Sequence, residues 1–180
     1  MRALVVYESM YGNTHVVASN IADGLRDTCQ VTLVPVAAAT ADLVAEADLL
    51  VVGAPTHMHG LPTASSRQLA RKAAVKPESG LTLDPDASGP AMRDWLRSLA
   101  GGHGLAAAFD TRLVGAAVFT GRASRGIGRL LTRHGYRLIA APESFMITKA
   151  NALADGESWR ARQWGEALAA AAGLAVPAAG

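Results

Sequence analysis

Cysteine is nearly missing from this chain. Cys29 is the only one in 180 residues, so no internal disulfide can form, and a reducing cytoplasm is the expected setting. Long hydrophobic runs are missing too. No apolar stretch approaches the roughly 20 residues that cross a bilayer, and the alanine-rich tail "LAAAAGLAVPAAG" is interrupted by Gly173 and Pro177. The opening "MRALVVYESM" has too short an apolar run before Glu8 to read as a signal peptide. Charge of one sign is scarce: 17 basic and 15 acidic side chains leave a formal +2. With no aromatic–basic interleaving and no zinc-finger spacing, the pI of 9.0 does not point to nucleic acid. What is abundant is apolar content, 50% of residues. A chain of this length buries roughly 70% of its unfolded surface. The expectation is one domain over residues 1–180, with no linker or internal repeat, off the membrane, as a monomer or small homo-oligomer.

The apolar residues fall into two periods. Ala3–Tyr7, Val31–Val36 and a run within Ala47–Thr56 are rich in β-branched residues and apolar on both faces, as central parallel strands are. Between the first two, Val17, Ile21 and Leu25 recur every four residues, which predicts a helix over Thr14–Arg26. Strand, helix, strand at this spacing is a right-handed unit, and its repetition predicts an open α/β sheet. Further on, a helix opened by Pro62 runs to Ala74, residues 75–90 form a turn-rich loop, and a helix over residues 91–99 turns Met92, Trp95, Leu96 and Leu99 to one side. The fourth strand is placed at Leu105–Phe109 rather than Leu113–Phe119, because the long loop then falls on the edge where open sheets bind ligands. Ser124 is expected to cap a helix ending at His134, with Gly135 as its stop. The fifth strand, "YRLIAAPESFMI", is interrupted at Pro142, and Ser158–Ala172 form a last helix. Trp95, Trp159 and Trp164, all on helices, read as packing residues.

The loop "SMYGNT", Ser9 to Thr14, lies where the first strand ends and the first helix begins. Unpaired N–H groups and the helix dipole make such a junction an anion site. No lysine follows the glycine, so it is not a nucleoside triphosphate loop, and a lone glycine is not the dinucleotide fingerprint. Ser9, Asn13 and Thr14 are neutral donors, and Gly12 permits a tight turn. Such a set suits a terminal monophosphate, at about 1.5–3 kcal/mol per charge-assisted hydrogen bond. Alternatively, Asn13 or Thr14 simply caps the helix.

Taken together, "SMYGNT" resembles the phosphate loop of the flavodoxin-like family, [ST]-x-T-G-x-T, through Ser9, Gly12 and Thr14. Tyr11 replaces the usual threonine, as in the related quinone-reductase branch with its "SMYG" loop. The resemblance implies a doubly wound sandwich with helices on both faces of a five-stranded parallel sheet in the order 2-1-3-4-5. It also implies FMN at the switch point. By it, Ser9, Met10, Tyr11, Gly12, Asn13 and Thr14 would hold the phosphate. Pro55, Thr56, His57, Met58, His59 and Gly60 would form the second cofactor loop, and Asp110 and Thr111 would begin the third. Family members often stack a tryptophan and a tyrosine on the flavin ring. Neither stands at these positions here, and Phe119 is the aromatic available in the third segment.

Two histidines two apart, His57 and His59, lack a third ligand for zinc and read as lining residues. His15, His103 and His134 have no companions. Arg122, Arg125, Arg129 and Arg133 recur at helical intervals and read as a solvated face. That face is also placed to meet an acidic redox partner or a nicotinamide phosphate. The expected function is FMN-based electron transfer in which no side chain is catalytic and no metal is bound. The alternatives are an FMN-dependent NAD(P)H oxidoreductase acting on quinones or similar acceptors, and a cofactor-free interaction module. The electron source is a redox partner protein or NAD(P)H. Electron-carrying flavodoxins are usually strongly acidic, so this chain's partners are expected to differ from theirs.

Overall fold

The structure, a computed structural model, describes residues 1–175. Six strands, β1 (Arg2–Tyr7), β2 (Gln30–Pro35), β3 (Leu49–Pro55), β4 (Leu105–Leu113), β5 (Arg137–Leu138) and β6 (Glu143–Ile147), form one sheet in the order β2-β1-β3-β4-β5. Every pairing is parallel. β5 pairs with Leu105 and Ala106 near the start of β4, and β6 pairs with Phe109–Leu113 farther along the same strand. They are one edge strand in two pieces, broken around Pro142, which lacks the N–H that a ladder needs.

Seven helices surround the sheet: α1 (Asn13–Leu25), α2 (Ala41–Glu46), α3 (Ala64–Ala74), α4 (Met92–Ser98), α5 (Ala117–Thr120), α6 (Ala123–Arg133) and α7 (Glu157–Ala175). Alternate residues of the strands feed two cores. On one face Val5, Val51, Ala107 and Phe109 meet Val17, Ile21 and Leu25 of α1 and Leu168 of α7. On the other, Leu4, Val6, Leu50 and Val52 meet Met92 and Leu96 of α4 and Ile127 and Leu131 of α6. Phe109, Phe145 and Trp164 form an edge-to-face triangle with centroids 6.1–6.3 Å apart, so Trp164 packs as expected, whereas Trp159 is 65% exposed.

Several boundaries differ from the expectation. β4 runs four residues past Phe109, because Asp110–Leu113 pair with Ser144–Ile147. The third loop therefore starts later. α2 was not anticipated, since six residues are too few to display a helical period. α3 starts after Thr63, not at Pro62: Thr63 and Ser66 exchange hydrogen bonds as a capping box. Ser124 does not cap α6. It lies within the first turn, and its N–H donates to Asp110 Oδ2 at 2.7 Å, so a strand carboxylate does the capping from across the sheet. α7 continues through Gly173 to Ala175, and Pro177 lies outside the described residues.

Candidate functional site

Parallel strands carry their carboxyl ends to one edge, and β1, β3, β4 and β6 end there together. The loop after β1 is tied down on all sides. Ser9 and Met10 are buried, and Ser9 Oγ accepts the N–H of Gly12 at 3.1 Å. Met10 packs with Ala70 and Ala87, and its carbonyl accepts the Asp84 N–H at 2.9 Å. Tyr11 donates its hydroxyl to the Ala70 carbonyl at 2.8 Å. Gly12 then turns the chain into α1 with φ +90°, a left-handed value that favours glycine. Among the described residues, the N–H groups of Met10, Tyr11, Asn13, Thr14 and His15 have no acceptor. Five free donors at the positive end of a 13-residue helix form an anion cradle.

The second and third loops close on the first. Thr14 and Thr111 share a hydrogen bond between their hydroxyls at 2.8 Å. The Thr56 N–H donates to the Thr111 carbonyl at 2.8 Å, and Thr56 Oγ1 accepts the Ala123 N–H at 2.9 Å. His57 and Gly60 exchange backbone hydrogen bonds at 2.9 and 3.0 Å, which makes a tight turn with φ +46° at Met58 and +74° at His59. That is unusual backbone for two non-glycine residues, and such positions gather at functional loops. His59 bridges to Gly121, so the second loop rests on the third. Burial, with help from Arg67, holds His57 below the ordinary histidine range, and the ring is neutral at pH 7. Arg112 organises the third loop: one guanidinium nitrogen donates to the Gly115 carbonyl at 2.7 Å and to Thr120 Oγ1 at 2.8 Å.

These loops enclose a cavity of about 240 Å³. Of the expected site residues, Met10, Tyr11, Asn13, Thr14, Pro55, Thr56, His57 and Thr111 line it. Ser9 and Gly12 shape the loop beneath it, while Met58 and His59 are exposed on the rim beside Gly60. Asp110 is fully buried and faces the start of α6. Phe119 is 78% exposed in α5 and does not line the cavity. Such a volume is small for enclosing a whole cofactor, so a larger ligand seated by an anionic end would extend over the rim of Met58, Leu113 and Val114. The wall also includes residues that the sequence did not single out: Leu113, Ile147, Thr148, Lys149 and Asn151. Their signal was topological, since the edge strand's carboxyl end must open beside that of β4. Of three larger hollows, one of about 440 Å³ lies along Arg125, Arg129 and Arg133 of α6, away from the cradle, and those of about 490 and 870 Å³ lie at the opposite edge. Of these last two, the former is lined largely by alanine and glycine, and the latter carries Asp27, Asp48 and Glu166, which repel anions.

Behind the cradle, a strap over residues 84–92 is pinned to β1 and α3. Arg67 Nε lies 3.0 Å from Glu8 Oε1, both side chains under 10% exposed, and Glu8 Oε2 accepts the Met92 N–H at 2.8 Å. The ion pair is close but poorly aligned for a hydrogen bond. Burial raises the Glu8 carboxyl above its usual range against the pull of the Met92 N–H and Arg67. Arg67 also donates to the carbonyls of Ala87 and Gly89. Tyr7 donates to Asp86 at 3.0 Å and stacks on His15 at 4.5 Å. Burial, seconded by Asp86, pushes the Tyr7 hydroxyl well above its usual range. His15 Nδ1 lies 3.5 Å from Asp84 Oδ2. His15, Asp84 and Asp86 bring ligand atoms within 4.8 Å of one another, and these contacts already account for them as pins of the strap.

The donor set fits a phosphoryl group in kind: N–H groups without acceptors belong to Met10, Tyr11, Asn13 and Thr14 of the wall, threonine hydroxyls lie beside them, and no carboxylate lines it. Residues 5–90 match the family model of flavodoxin, a span that contains the cradle and the second loop. No curated protein sequence matches the chain. Among solved structures, a flavodoxin from the domain Archaea superposes with TM-score 0.65 at 18% identity, over 96% of this chain and 99% of that one. A flavodoxin from Streptococcus pneumonia TIGR4 gives 0.64 at 21%, over 94% and 99%. A flavodoxin, WrbA-like protein from Agrobacterium tumefaciens gives 0.56 at 19%, over 96% and 98%. The chain is flavodoxin-like, with that fold over nearly its whole length and the family's sequence pattern carried by residues 5–90.

Proposed function

We propose that the chain binds FMN with its phosphoryl group in the cradle at the start of α1, and that it serves as an electron-transfer protein of the cytoplasm. The observation that carries this reading is the set of five backbone N–H groups without acceptors around Gly12. Four of the five belong to residues that line the cavity, Met10, Tyr11, Asn13 and Thr14, beside the hydroxyls of Thr56 and Thr111. Bound there, the flavin supplies the redox chemistry, and the protein supplies position and local electrostatics. Thr14 and Thr111 are prealigned through their shared hydrogen bond; that bond uses one of the two hydroxyl protons, so the pair offers one hydroxyl donor to an anion with little ordering cost. Neutral His57 leaves the second loop without an added positive charge next to the ring. The electron source is a redox partner protein or NAD(P)H.

A second reading, an FMN-dependent NAD(P)H oxidoreductase acting on quinones, is favoured by the rim. Among the described residues no tryptophan lines the cavity, and Met58 and Phe119 are each 78% exposed, which leaves a ring face accessible to a substrate. Titrating purified protein with FMN tests the main reading through the flavin absorption bands and the heat of binding. A saturable spectral shift supports it, and neither shift nor heat refutes it. NADPH oxidation by the loaded protein with a quinone, without a reductase, selects the second.

A further inference from the structure

We infer that Lys149 supplies the counter-charge to the phosphoryl group in this cavity and sets a preference for FMN over unphosphorylated riboflavin; the inference rests on the FMN reading above. The wall is otherwise without a fixed charge. Among the described residues lining it, Lys149 is the one lysine or arginine, no aspartate or glutamate is present, and burial disfavours the charged form of His57. Nor is the ammonium committed elsewhere, since among the described residues Lys149 has no carboxylate within 4.0 Å and no side-chain hydrogen bond.

The turn that carries Lys149 is built to hold it at the cradle. Thr148 N–H donates to the Ala152 carbonyl at 2.8 Å, Asn151 N–H to the Thr148 carbonyl at 3.0 Å, and Ala154 N–H to the Met146 carbonyl at 2.9 Å. Asn151 sits at φ +58°, a value asparagine tolerates better than most residues. From α1, Asn13 Nδ2 donates to the Asn151 carbonyl at 2.9 Å and to Asn151 Oδ1 at 3.2 Å. The turn is thus latched to the first residue of the helix whose free N–H groups form the cradle. The backbone of residue 149 is fixed while its four-carbon stem remains free to swing, as an ammonium that meets a phosphate as a point charge requires. Riboflavin shares the ring and ribityl chain of FMN and lacks only the phosphoryl group, so the charge of Lys149 acts on one ligand and not the other.

Wild type, Lys149→Gln and Lys149→Arg are titrated with FMN and with riboflavin, at low salt and at high salt, by quenching of flavin fluorescence. Lys149→Gln is expected to lose about 5- to 20-fold in FMN affinity, the range for one partly exposed charge-assisted contact, and to change less than about twofold for riboflavin. Lys149→Arg keeps most of the FMN preference. In wild type the FMN-to-riboflavin ratio falls with salt, and in Lys149→Gln it is already low and insensitive. An unchanged ratio in Lys149→Gln, with FMN still bound, overturns the role of Lys149 and leaves the functional reading standing. Wild type that binds neither flavin overturns that reading and this inference with it. Lys149 is exposed, so folding of both variants is expected to match wild type by circular dichroism.

Discussion

One methyl group at residue 12 separates the backbone requirement of the anion cradle from every packing effect. Gly12 has φ +90° and ψ −26°, yet a Cβ built there meets nothing within 4 Å. Gly12→Ala therefore creates no clash, and its cost is conformational, about 1–2 kcal/mol for a left-handed L-residue. Restricting the unfolded chain returns about 0.4–1 kcal/mol. The net loss is about 0–1.6 kcal/mol, which lowers the melting temperature by up to about 6 °C for a chain of this size. Where the backbone instead relaxes to negative φ, the N–H groups of Asn13 and Thr14, both on the cavity wall, are reoriented and flavin affinity falls further than stability. Gly12→Asn is the control, because asparagine visits this region at lower cost. Urea unfolding and FMN titration of wild type and both variants read the two effects separately. A Gly12→Ala variant more stable than wild type would contradict the assigned backbone. Wild-type FMN affinity in a destabilised Gly12→Ala would show that the phosphate sits elsewhere.

Arg67→Met leaves Glu8 as a buried carboxylate without its paired cation and frees the carbonyl of Gly89, while the Ala87 carbonyl keeps its hydrogen bond from Arg71, so urea unfolding should show a loss of about 3–5 kcal/mol; Glu8→Gln added to it should recover part of that loss, and a single-variant loss below about 1 kcal/mol would mean the pair is solvated. Glu157 controls acid stability at the other end of the site. Burial opposes its ionisation, but the hydrogen bonds from Arg160 and the Met146 N–H prevail and hold its carboxyl below 4.5. Because the folded value is depressed, its contribution is present above about pH 4.5 and is lost as the pH falls through the folded value. Melting temperatures of wild type should therefore drop more steeply below pH 4.5 than those of Glu157→Gln, and parallel curves would refute this. Gly165→Leu should separate α1 from α7, since even a Cβ there would lie 2.3 Å from the Ile21 carbonyl oxygen; a loss of at least about 1–3 kcal/mol is expected by calorimetry, and unchanged melting would refute the close helix contact.

The match between pattern and fold was closest where burial is two-sided. Val5, Val51 and Ala107 sit in strands with helices on both faces, so their apolar runs are continuous and legible. Val17, Ile21 and Leu25 kept a clean four-residue spacing because one face of α1 lies on the sheet. Legibility failed where an element depends on a distant partner. β4 extends through Asp110–Leu113 because β6 offers a ladder there, and nothing in "DTRL" announces it. Ser124 has the composition of a cap, but Asp110, 14 residues earlier in sequence, reaches the helix first. In the site, Gly12 and Thr14 were readable from a local turn, whereas Lys149 and Asn151 were not. Their place at the cavity comes from β6 lying against β4, and from Asn13 reaching across 138 residues of chain to hold them.

By itself the sequence determined the alternation of strands and helices, the parallel sheet they form, and the turn at Gly12 that leaves helix donors free. Each of these follows from side-chain period and local backbone geometry, which need no distant contact. The tertiary structure decided which donors converge. It set the shared hydroxyl bond between Thr14 and Thr111, the burial that keeps His57 neutral, the buried Glu8–Arg67 pin and the latch that brings Lys149 to the cradle. These depend on distances between elements far apart in the chain, and strand order in the sheet sets those distances.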